Sequence, residues 1–420
     1  MKVALQYGMG VLEVEIPSER VTVIRPAHQA GLADERGGFL RAVREPIGGK
    51  PLRECVGRGE TVAVVIPDIT RPMPNERLLA WLFAELGQVE AKDITIINGT
   101  GSHRPNTREE LERMVGREVV GRYRIVNHSA FEPAGLREVG KRPSGKPLLF
   151  NKEYVEADRR IAVGFIEPHF MAGFSGGYKA VMPGIADIDT ILEYHGARIV
   201  GDPRSNWGVI EGNPTQDYVR RQGALAPLDF LVNVTLNERR DITGYFCGET
   251  IAAHHAGCES VRRTAMAGFD APFPIVVTTN SGYPLDQNLY QTVKGMSAAA
   301  KILAPGGLML CASRCNEGFP EHGNFKRLMC EAASPRAILE TINTPGFSAF
   351  DQWCAQLLAI ILLNGRVMLH SEIADDAVRK AHLVPTRDFA GAIREELGRI
   401  GNDAPIAVLP EGPMSIPYLR

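Results

Sequence analysis

The chain has 420 residues, with 47 Lys and Arg against 49 Asp and Glu, so its formal net charge is −2 at pH 7. This length is enough for two or three domains with buried cores. The near-neutral charge leaves no electrostatic footprint for nucleic acid or for an anionic membrane. The longest apolar run, residues 357–363, is far shorter than the roughly 20 residues that cross a bilayer. We therefore expect a globular protein that binds neither.

The seven cysteines are scattered and show no spacing typical of a disulfide scaffold or a zinc site. The first residues, MKVALQYGMG, lack the apolar stretch and small-residue cleavage site of a secretory signal. Free cysteines are typical of a reducing compartment, so we expect a cytoplasmic protein.

Six short apolar, β-branched runs predict strands that are buried on both faces. In chain order they are residues 61–66 (TVAVVI), 93–97 (DITII), 123–126 (YRIV), 160–166 (RIAVGFI), 275–279 (IVVTT) and 308–311 (LMLC). Helical patterns lie between them. This alternation predicts an α/β protein with mostly parallel sheets flanked by helices.

Three of the intervening helices have recognisable features. Thr107 and Glu110 fit a capping box at a helix start, and Asn75 is expected to cap the helix LLAWLFAEL. Residues 285–303 predict a longer helix, in which four apolar residues face inward: Leu285, Leu289, Val293 and Met296.

A turn-prone stretch at residues 268–274, GFDAPFP, predicts a domain boundary. We expect an amino-terminal α/β domain of residues 1–268 to which the tail, residues 404–420, returns. Residues 269–403 would form a second α/β domain, with the active site in the cleft between the two.

Polar residues gather directly after three of the predicted strands. Asp68 and Arg71 follow the first run, His103 follows the second, and His169 follows the run at 160–166. Ligands bind at the carboxyl ends of strands in open α/β sheets, so these residues predict one shared site. Each histidine suits proton transfer near neutral pH, although either could instead be a structural hydrogen-bonding group.

Two further segments each allow a functional or a plain structural interpretation. The loop GFSGGYK, residues 173–179, has the backbone N–H groups that suit a phosphate, or it is a tight turn with a solvated lysine. Gln287, Gln291 and Lys294 share one face of the helix at 285–303, either at the sheet edge or as a solvated stripe. His195 alone cannot form a protein metal site, which needs three or four ligands.

At these residues the sequence resembles the nickel-dependent lactate racemase family. The matching stretches are DITRPMP (68–74), NGTGSHRP (98–105), EPHFMAGFSGGYKAVMPGIA (167–186), His195, LDQNLYQTVKGMSAAA (285–300) and DQWCAQ (351–356). The resemblance implies a two-domain α/β isomerase that uses a nickel-pincer nucleotide, pyridinium-3,5-bisthiocarboxylic acid mononucleotide with nickel. One departure is Tyr178, where several members have an arginine.

The resemblance also implies residue roles. Lys179 would tether the cofactor through a thioamide, and His195 would ligate nickel. His103 and His169 would be the acid/base pair, while Arg71 and Lys294 would bind the substrate carboxylate. The cofactor pocket would be lined by Asp68, Ser175, Gly176, Gly177, Tyr290, Gln291 and Trp353.

These roles imply the racemisation or epimerisation of a 2-hydroxy acid by hydride transfer, with the cofactor-building enzymes as partners. The family's substrates range from lactate to malate and sugar acids, and nothing in Arg71 or Lys294 selects among them. Two alternatives remain open at this point. One is a metal-dependent hydrolase with His103, His169 and Asp68 as ligands, and the other is a carrier of the nickel cofactor.

Overall fold

The computed structural model describes residues 1–27, 29–321 and 323–420. Within them, the strands are β1 (Lys2–Tyr7), β2 (Gly10–Glu15), β3 (Val21–Val23), β4 (Val62–Pro67), β5 (Ile94–Gly99), β6 (Arg124–Asn127), β7 (Leu136–Lys141), β8 (Pro147–Asn151), β9 (Arg159–Phe165), β10 (Pro168–His169), β11 (Gly173–Phe174), β12 (Phe230–Leu236), β13 (Ile242–Gly248), β14 (Met266–Phe269), β15 (Phe273–Thr279), β16 (Leu303–Ala312), β17 (Arg366–His370), β18 (Val384–Pro385), β19 (Ile406–Leu409) and β20 (Ile416–Leu419).

The α-helices of the same residues are α1 (Glu35–Arg44), α2 (Leu52–Cys55), α3 (Asn75–Glu85), α4 (Arg108–Val115), α5 (Arg117–Arg122), α6 (Lys152–Glu156), α7 (Ile188–Tyr194), α8 (Ala197–Val200), α9 (Pro214–Gly223), α10 (Thr250–Ala265), α11 (Leu289–Ala300), α12 (Phe325–Glu331), α13 (Pro335–Ile342), α14 (Gln352–Asn364), α15 (Asp375–Lys380) and α16 (Phe389–Ile400). Short 3₁₀ helices lie at Ala91–Asp93, Pro133–Gly135, Gly177–Ala180 and Gly412–Met414.

The chain divides into two compact units. The terminal unit comprises Met1–Ala27, His195–Gly208 and Thr264–Arg420. The described residues of the central unit are 29–194 and Val209–Arg263.

The central unit contains a six-stranded sheet in the order β13-β12-β9-β4-β5-β6. All neighbours in it are parallel except β12 and β13. Its middle strands are buried on both faces, because α-helices cover the sheet. The core under these helices includes Val64 and Ile66 of β4 and Leu78 of α3.

The terminal unit contains a second six-stranded sheet, in the order β18-β17-β16-β15-β19-β3, with all neighbours parallel. The hairpin of β1 and β2 contributes Val3 and Leu5 to the core formed by Ile275 and Val277 of β15. The predicted fold class, two α/β units built on mostly parallel sheets flanked by helices, is confirmed, and all six predicted runs form strands. The cleft site stays a prediction.

The domain limits differ from the predicted boundaries at both chain termini. The prediction grouped the tail with the residues that form the central unit. The tail instead belongs to the terminal unit, because β19 pairs with both β15 and β3 in the terminal sheet. Residues 1–27 belong to the same unit, since they supply β3 and the hairpin. Residues 195–208 join it too, where Trp207 Nε1 donates to Ser297 Oγ at 3.0 Å.

The predicted capping box is present: Glu110 N–H donates to Thr107 Oγ1, and Thr107 N–H donates to the Glu110 carboxylate. Two other helix starts were predicted wrongly. Asn75 is the first residue of α3 and does not cap it. Helix α11 starts at Leu289, because the Asn288 side chain caps it while Leu285 and Asp286 donate to the Gly282 carbonyl. Gln287 therefore lies outside the helix.

Among residues 1–27, 29–321 and 323–420, every helix is too short or too polar to cross a bilayer.

We predict that Thr107→Ala lowers the free energy of unfolding of the central unit by about 1 kcal/mol, the usual cost of losing a side-chain N-cap. Urea unfolding followed by fluorescence would measure this loss. Arg113→Ala, on the exposed face of the same helix, is the control. An equal effect of the two substitutions would show that the capping box does not stabilise α4.

Candidate active site

Three neighbouring parallel strands of the central sheet bring the predicted polar loops to one edge. Strand β4 lies between β9 and β5 and pairs in parallel with both. The segments that follow these strands carry Asp68, His103 and His169, respectively after β4, β5 and β9. The parallel direction of the strands therefore confirms that the three loops share the carboxyl edge of one sheet.

His103 is hydrogen-bonded to the carboxylate of Asp68. The distance from His103 Nδ1 to Asp68 Oδ2 is 2.8 Å, and the Asp68 side chain is only 4% exposed while that of His103 is 50% exposed. Burial alone would raise the pKa of Asp68, but hydrogen bonds from His103 and Thr70 and the charges of His103 and Arg71 hold it below its usual value. An ionised Asp68 keeps the proton of His103 on Nδ1, so Nε2 has a lone pair that can accept a proton.

His169 makes the opposite kind of hydrogen bond at Nδ1, where it accepts rather than donates. It lies in the tight hairpin of β10 and β11, where the N–H groups of Met171 and Ala172 donate to its Nδ1 at 3.2 and 3.1 Å. A ring nitrogen that accepts N–H bonds carries no proton, so neutral His169 carries its proton on Nε2. The hairpin needs glycine at 173, where φ is +77° and a Cβ would lie 1.9 Å from the Val209 carbonyl oxygen.

The glycine-rich loop packs closely against neighbouring elements. A Cβ on Gly176 would lie 2.6 Å from Asn233 Oδ1 in β12, and a Cβ on Gly177 would lie 2.8 Å from the ring of His254 in α10. Both residues have positive φ, which glycine adopts without strain. Close packing and backbone conformation are therefore sufficient reasons for glycine here.

The backbone donors of this loop are largely used within the protein. Ser175 N–H donates to the Glu167 carbonyl, Gly177 N–H to Asn233 Oδ1, and Lys179 N–H to the Gly176 carbonyl. The phosphate interpretation of this loop requires free N–H groups, and these three are not free. The roles predicted for Ser175, Gly176 and Gly177 thus depend on donors other than these three.

Lys179 is partly buried and lies next to Tyr194. Burial, together with the positive charge of Arg71, lowers the pKa of its amine to about 7, and Glu167 opposes this shift. Lys179 Nζ donates to Tyr194 Oη at 3.2 Å. A substantial fraction of the amine is therefore uncharged at neutral pH, which is the form that acts as a nucleophile.

Tyr178, the departure from the family pattern, points into the protein. It is buried, and a Cβ on Gly223 of α9 would lie 2.6 Å from its ring. A Thr250 hydrogen bond lowers its pKa, but burial outweighs this and raises the pKa overall. This position thus packs helix α9 onto the loop.

In the terminal unit, His195 stacks on Trp353 with their ring centroids 4.1 Å apart. Trp353 Nε1 donates to Tyr290 Oη at 2.9 Å, and on the same helix as Tyr290, Lys294 Nζ donates to Gln291 Oε1 at 2.7 Å. Five residues that the family resemblance singled out thus lie on or next to helix α11 of one unit: His195, Tyr290, Gln291, Lys294 and Trp353.

No group of three or more His, Cys, Asp and Glu side chains is arranged to hold a metal ion in the part of the chain that the structure describes. The hydrolase alternative needs such a set from His103, His169 and Asp68. Instead, His103 is hydrogen-bonded to Asp68, and His169 accepts from the backbone of its own hairpin. A metal ligated by His195 would need its other donors from a cofactor. The buried, partly uncharged amine of Lys179 fits the covalent attachment of one.

Sequence reasoning missed three residues that build this region: Tyr194, Asn233 and His254. Asn233 had a visible signal, because it is the one amide in the apolar strand sequence FLVNVTL. His254 Nε2 hydrogen-bonds the Ser175 carbonyl at 2.9 Å, and burial lowers its pKa to about 4. Nothing in the sequence near Tyr194 indicates its contact with Lys179.

We predict that the stability of the apoenzyme rises between pH 7 and 9 because of Lys179. Its folded-state pKa of about 7 lies below the unfolded value of about 10.4, so the unfolded chain binds more protons in this range and unfolding becomes less favourable as pH rises. The gain is about 2 kcal/mol. Lys179→Met should remove it, whereas Lys146→Met, at an exposed site, should not. Urea unfolding at both pH values measures it, and identical pH dependence in all three proteins would contradict it.

Family models match most of the chain. The lactate racemase N-terminal domain matches residues 7–208, and the lactate racemase C-terminal domain matches residues 270–416. A lactate racemase from Thermoanaerobacterium thermosaccharolyticum is 34% identical over 418 residues, which cover 98% of this chain and 97% of that protein. Another, from Lactiplantibacillus plantarum, is 35% identical over 417 residues and 97% of each chain.

Solved structures agree. The lactate racemase apoprotein from Thermoanaerobacterium thermosaccharolyticum superposes with a TM-score of 0.91 at 33% identity, covering all of both chains. A Thermotoga maritima protein has the same fold, with a TM-score of 0.69 at 20% identity over 94% of this chain and 100% of that one. From these matches and the site geometry, the chain belongs to the lactate racemase family and is an isomerase.

Proposed function

We propose that this protein interconverts the enantiomers of lactate, or of a closely related 2-hydroxy acid, by hydride transfer to and from a covalently bound nickel-pincer nucleotide. The observation that carries the proposal is the 2.8 Å hydrogen bond between Asp68 and His103 at the sheet edge. It provides a half-exposed imidazole whose Nδ1 is held by a buried carboxylate and whose Nε2 can take a hydroxyl proton.

Hydride transfer is proposed because of the substrate's own chemistry. The C2–H of a 2-hydroxy acid is a poor acid, since deprotonation would place a second negative charge next to the carboxylate. When bound, the nickel-pincer nucleotide supplies a hydride acceptor that avoids this carbanion. The remaining task, moving the hydroxyl proton, belongs to the side chains of the protein.

The two histidines are arranged for complementary parts of this task. His103 takes the hydroxyl proton on Nε2 while its Nδ1–H donates to Asp68. His169 presents Nε2–H, fixed by the two backbone donors at Nδ1, and can donate to the oxygen of the keto acid. Arg71 provides a planar fork for the substrate carboxylate, and Lys294, held by Gln291, a point charge.

The family resemblance assigns the residues that would hold the cofactor. The buried amine of Lys179 would form the tether, and His195, with its ring against Trp353, would ligate nickel. Tyr290 and Gln291 would line the pocket, together with the loop at Ser175, Gly176 and Gly177. Asp68 would act mainly through His103, because its two oxygens already accept from His103 and Thr70.

We also infer the setting of the reaction. All seven cysteines are free thiols, which favours a reducing compartment, so we place the enzyme in the cytoplasm. The cofactor-building enzymes would be its partners there. A carrier without catalytic activity is the remaining alternative, and a stereochemical assay of the loaded protein separates the two functions.

We predict that the protein, produced with the cofactor-building enzymes, racemises either enantiomer of lactate. His103→Ala and His169→Ala should each slow this by about 10²–10⁴-fold, the usual contribution of an acid/base group. His255→Ala, an exposed histidine of α10, is the control. Chiral chromatography measures racemisation, and a panel of malate and sugar acids tests the substrate range.

Single-turnover oxidation gives a further test of the histidine roles. Because His103 provides the lone pair that accepts the hydroxyl proton and His169 provides an N–H donor, His103→Ala should slow the half-reaction that forms the keto acid more than His169→Ala does. A fully loaded wild-type protein that exchanges no enantiomer would identify a carrier. A histidine variant with wild-type racemisation would show that this histidine is structural.

We predict that Lys179→Ala and His195→Ala fail in different ways. Lys179→Ala should show no covalent mass addition in denaturing mass spectrometry, because the nucleophilic amine is gone. His195→Ala should keep the organic group but lose nickel faster to a chelator. Lys146→Ala serves as the control for both measurements. Full mass addition in Lys179→Ala would contradict the assignment of Lys179 as the tether. Unchanged nickel retention in His195→Ala would contradict the assignment of His195 as the nickel ligand.

A further inference from the structure

Helix α9 carries, on one face, two polar side chains with buried atoms that lack hydrogen-bond partners. Gln216 and Arg220 are four residues apart, so they lie one helical turn apart on the same side. Gln216 is 1% exposed, and neither atom of its amide has a partner within the described residues. The Nε and Nη2 atoms of Arg220 are also buried without a partner there. Buried polar groups are almost always hydrogen-bonded, so these atoms indicate an absent partner.

The guanidinium of Arg220 lies among neutral groups. Burial is the main cause that lowers the pKa of His254 to about 4 and that raises the pKa of Cys258. Both side chains are therefore uncharged near neutral pH. The positive charge of Arg220 also acts on each of them. In the described part of the chain, Arg220 forms an ion pair with Glu211 at 3.7 Å, and that side chain is 81% exposed. The Arg220 side chain is 18% exposed, but its Nε and Nη2 atoms are buried, and a closer anion would offset their lost hydration.

This part of α9 packs directly against the glycine-rich loop. Gly223 approaches the ring of Tyr178, and His254 contacts the loop from α10 through the Ser175 carbonyl and Gly177. The charges of both Arg220 and Lys179 act on His254, so the guanidinium and the predicted tether lie near the same imidazole. The unpartnered donors are thus beside the loop for which a phosphate site is one of the two interpretations of the sequence.

The loop itself offers few donors. The N–H groups of Ser175, Gly177 and Lys179 are engaged within the protein. The side chain of Arg220 can present two parallel N–H donors to phosphate oxygens, and the amide of Gln216 can add a third. Phosphate is therefore the anion whose shape and charge match the unpartnered groups.

We propose that Gln216 and Arg220 form a buried subsite for a phosphate group, and that in the holoenzyme this group is the phosphate of the nucleotide cofactor. The second part rests on the proposed function. The first part does not, because phosphate binding to the apoenzyme is independent of racemisation.

Calorimetric titration of the full-length apoenzyme with inorganic phosphate, against sodium chloride of equal ionic strength, tests the subsite. Phosphate should bind and should raise Tm, as any ligand specific to the folded state does. Arg220→Met should weaken binding about tenfold or more and remove the Tm rise, because the stem is kept and the donors are lost. Arg221→Met is the matched control, since it changes the next, exposed residue of the same helix.

Two further variants keep the test decisive if Arg220→Met does not fold. Arg220→Lys keeps the charge without the planar fork, and Gln216→Met removes the amide alone. Both should bind phosphate more weakly than Arg221→Met does. Phosphate binding that is equal in all variants, or absent in wild type, would overturn the subsite and leave buried water as the partner of these groups.

The source of the phosphate is tested in the Lys179→Ala background, where the nucleotide can bind only noncovalently. Intact cofactor should bind more tightly than cofactor treated with phosphatase, and Arg220→Met should abolish this difference. If the apoenzyme binds inorganic phosphate but removal of the cofactor's phosphate changes nothing, the subsite takes free phosphate and the cofactor assignment is wrong. Racemisation by wild type remains a separate measurement, so failure here leaves the proposed function intact.

Discussion

The parallel pairing of β4 with both β9 and β5 is the constraint on which the site of the central unit depends. Each strand is buried, so none can slip or reverse without exposing apolar side chains. Because all three run in one direction, the segments that follow them must leave from the same edge. Asp68, His103 and His169 are far apart in sequence, and the segments that carry them meet at this edge because of the parallel pairing.

Near that edge, the pKa values of Asp68 and Lys179 are both lowered, but by different causes. Asp68 keeps its charge despite burial, because hydrogen bonds from His103 and Thr70 outweigh the cost of desolvation. Lys179 has no carboxylate bound to its amine among the hydrogen bonds of the described residues, and desolvation lowers its pKa to about 7. Pairing thus maintains an ion, and burial without pairing produces a nucleophile.

The glycine-rich loop shows how one sequence pattern can have two physical causes. Glycines are required both where backbone approaches a phosphate and where elements pack without room for a Cβ. At Gly176 and Gly177 the neighbours are Asn233 and His254, which accounts for both residues. The unpartnered donors lie instead on Arg220 and Gln216 of α9, which the sequence did not single out.

The sequence by itself determined the α/β class, the six principal strands, the capping box at Thr107 and the residues that gather after the strands, because local periodicity and turn chemistry specify these features. Only the tertiary structure decided that the tail at β19 fills the sheet between β15 and β3 and that α11 starts at Leu289. It also decided that Nδ1 of His103 faces a carboxylate, while Nδ1 of His169 faces two backbone N–H groups. Each of these depends on a partner distant in sequence or on the exact path of a turn. Strand neighbours, caps and imidazole tautomers are set by hydrogen bonds that form only once the chain has folded.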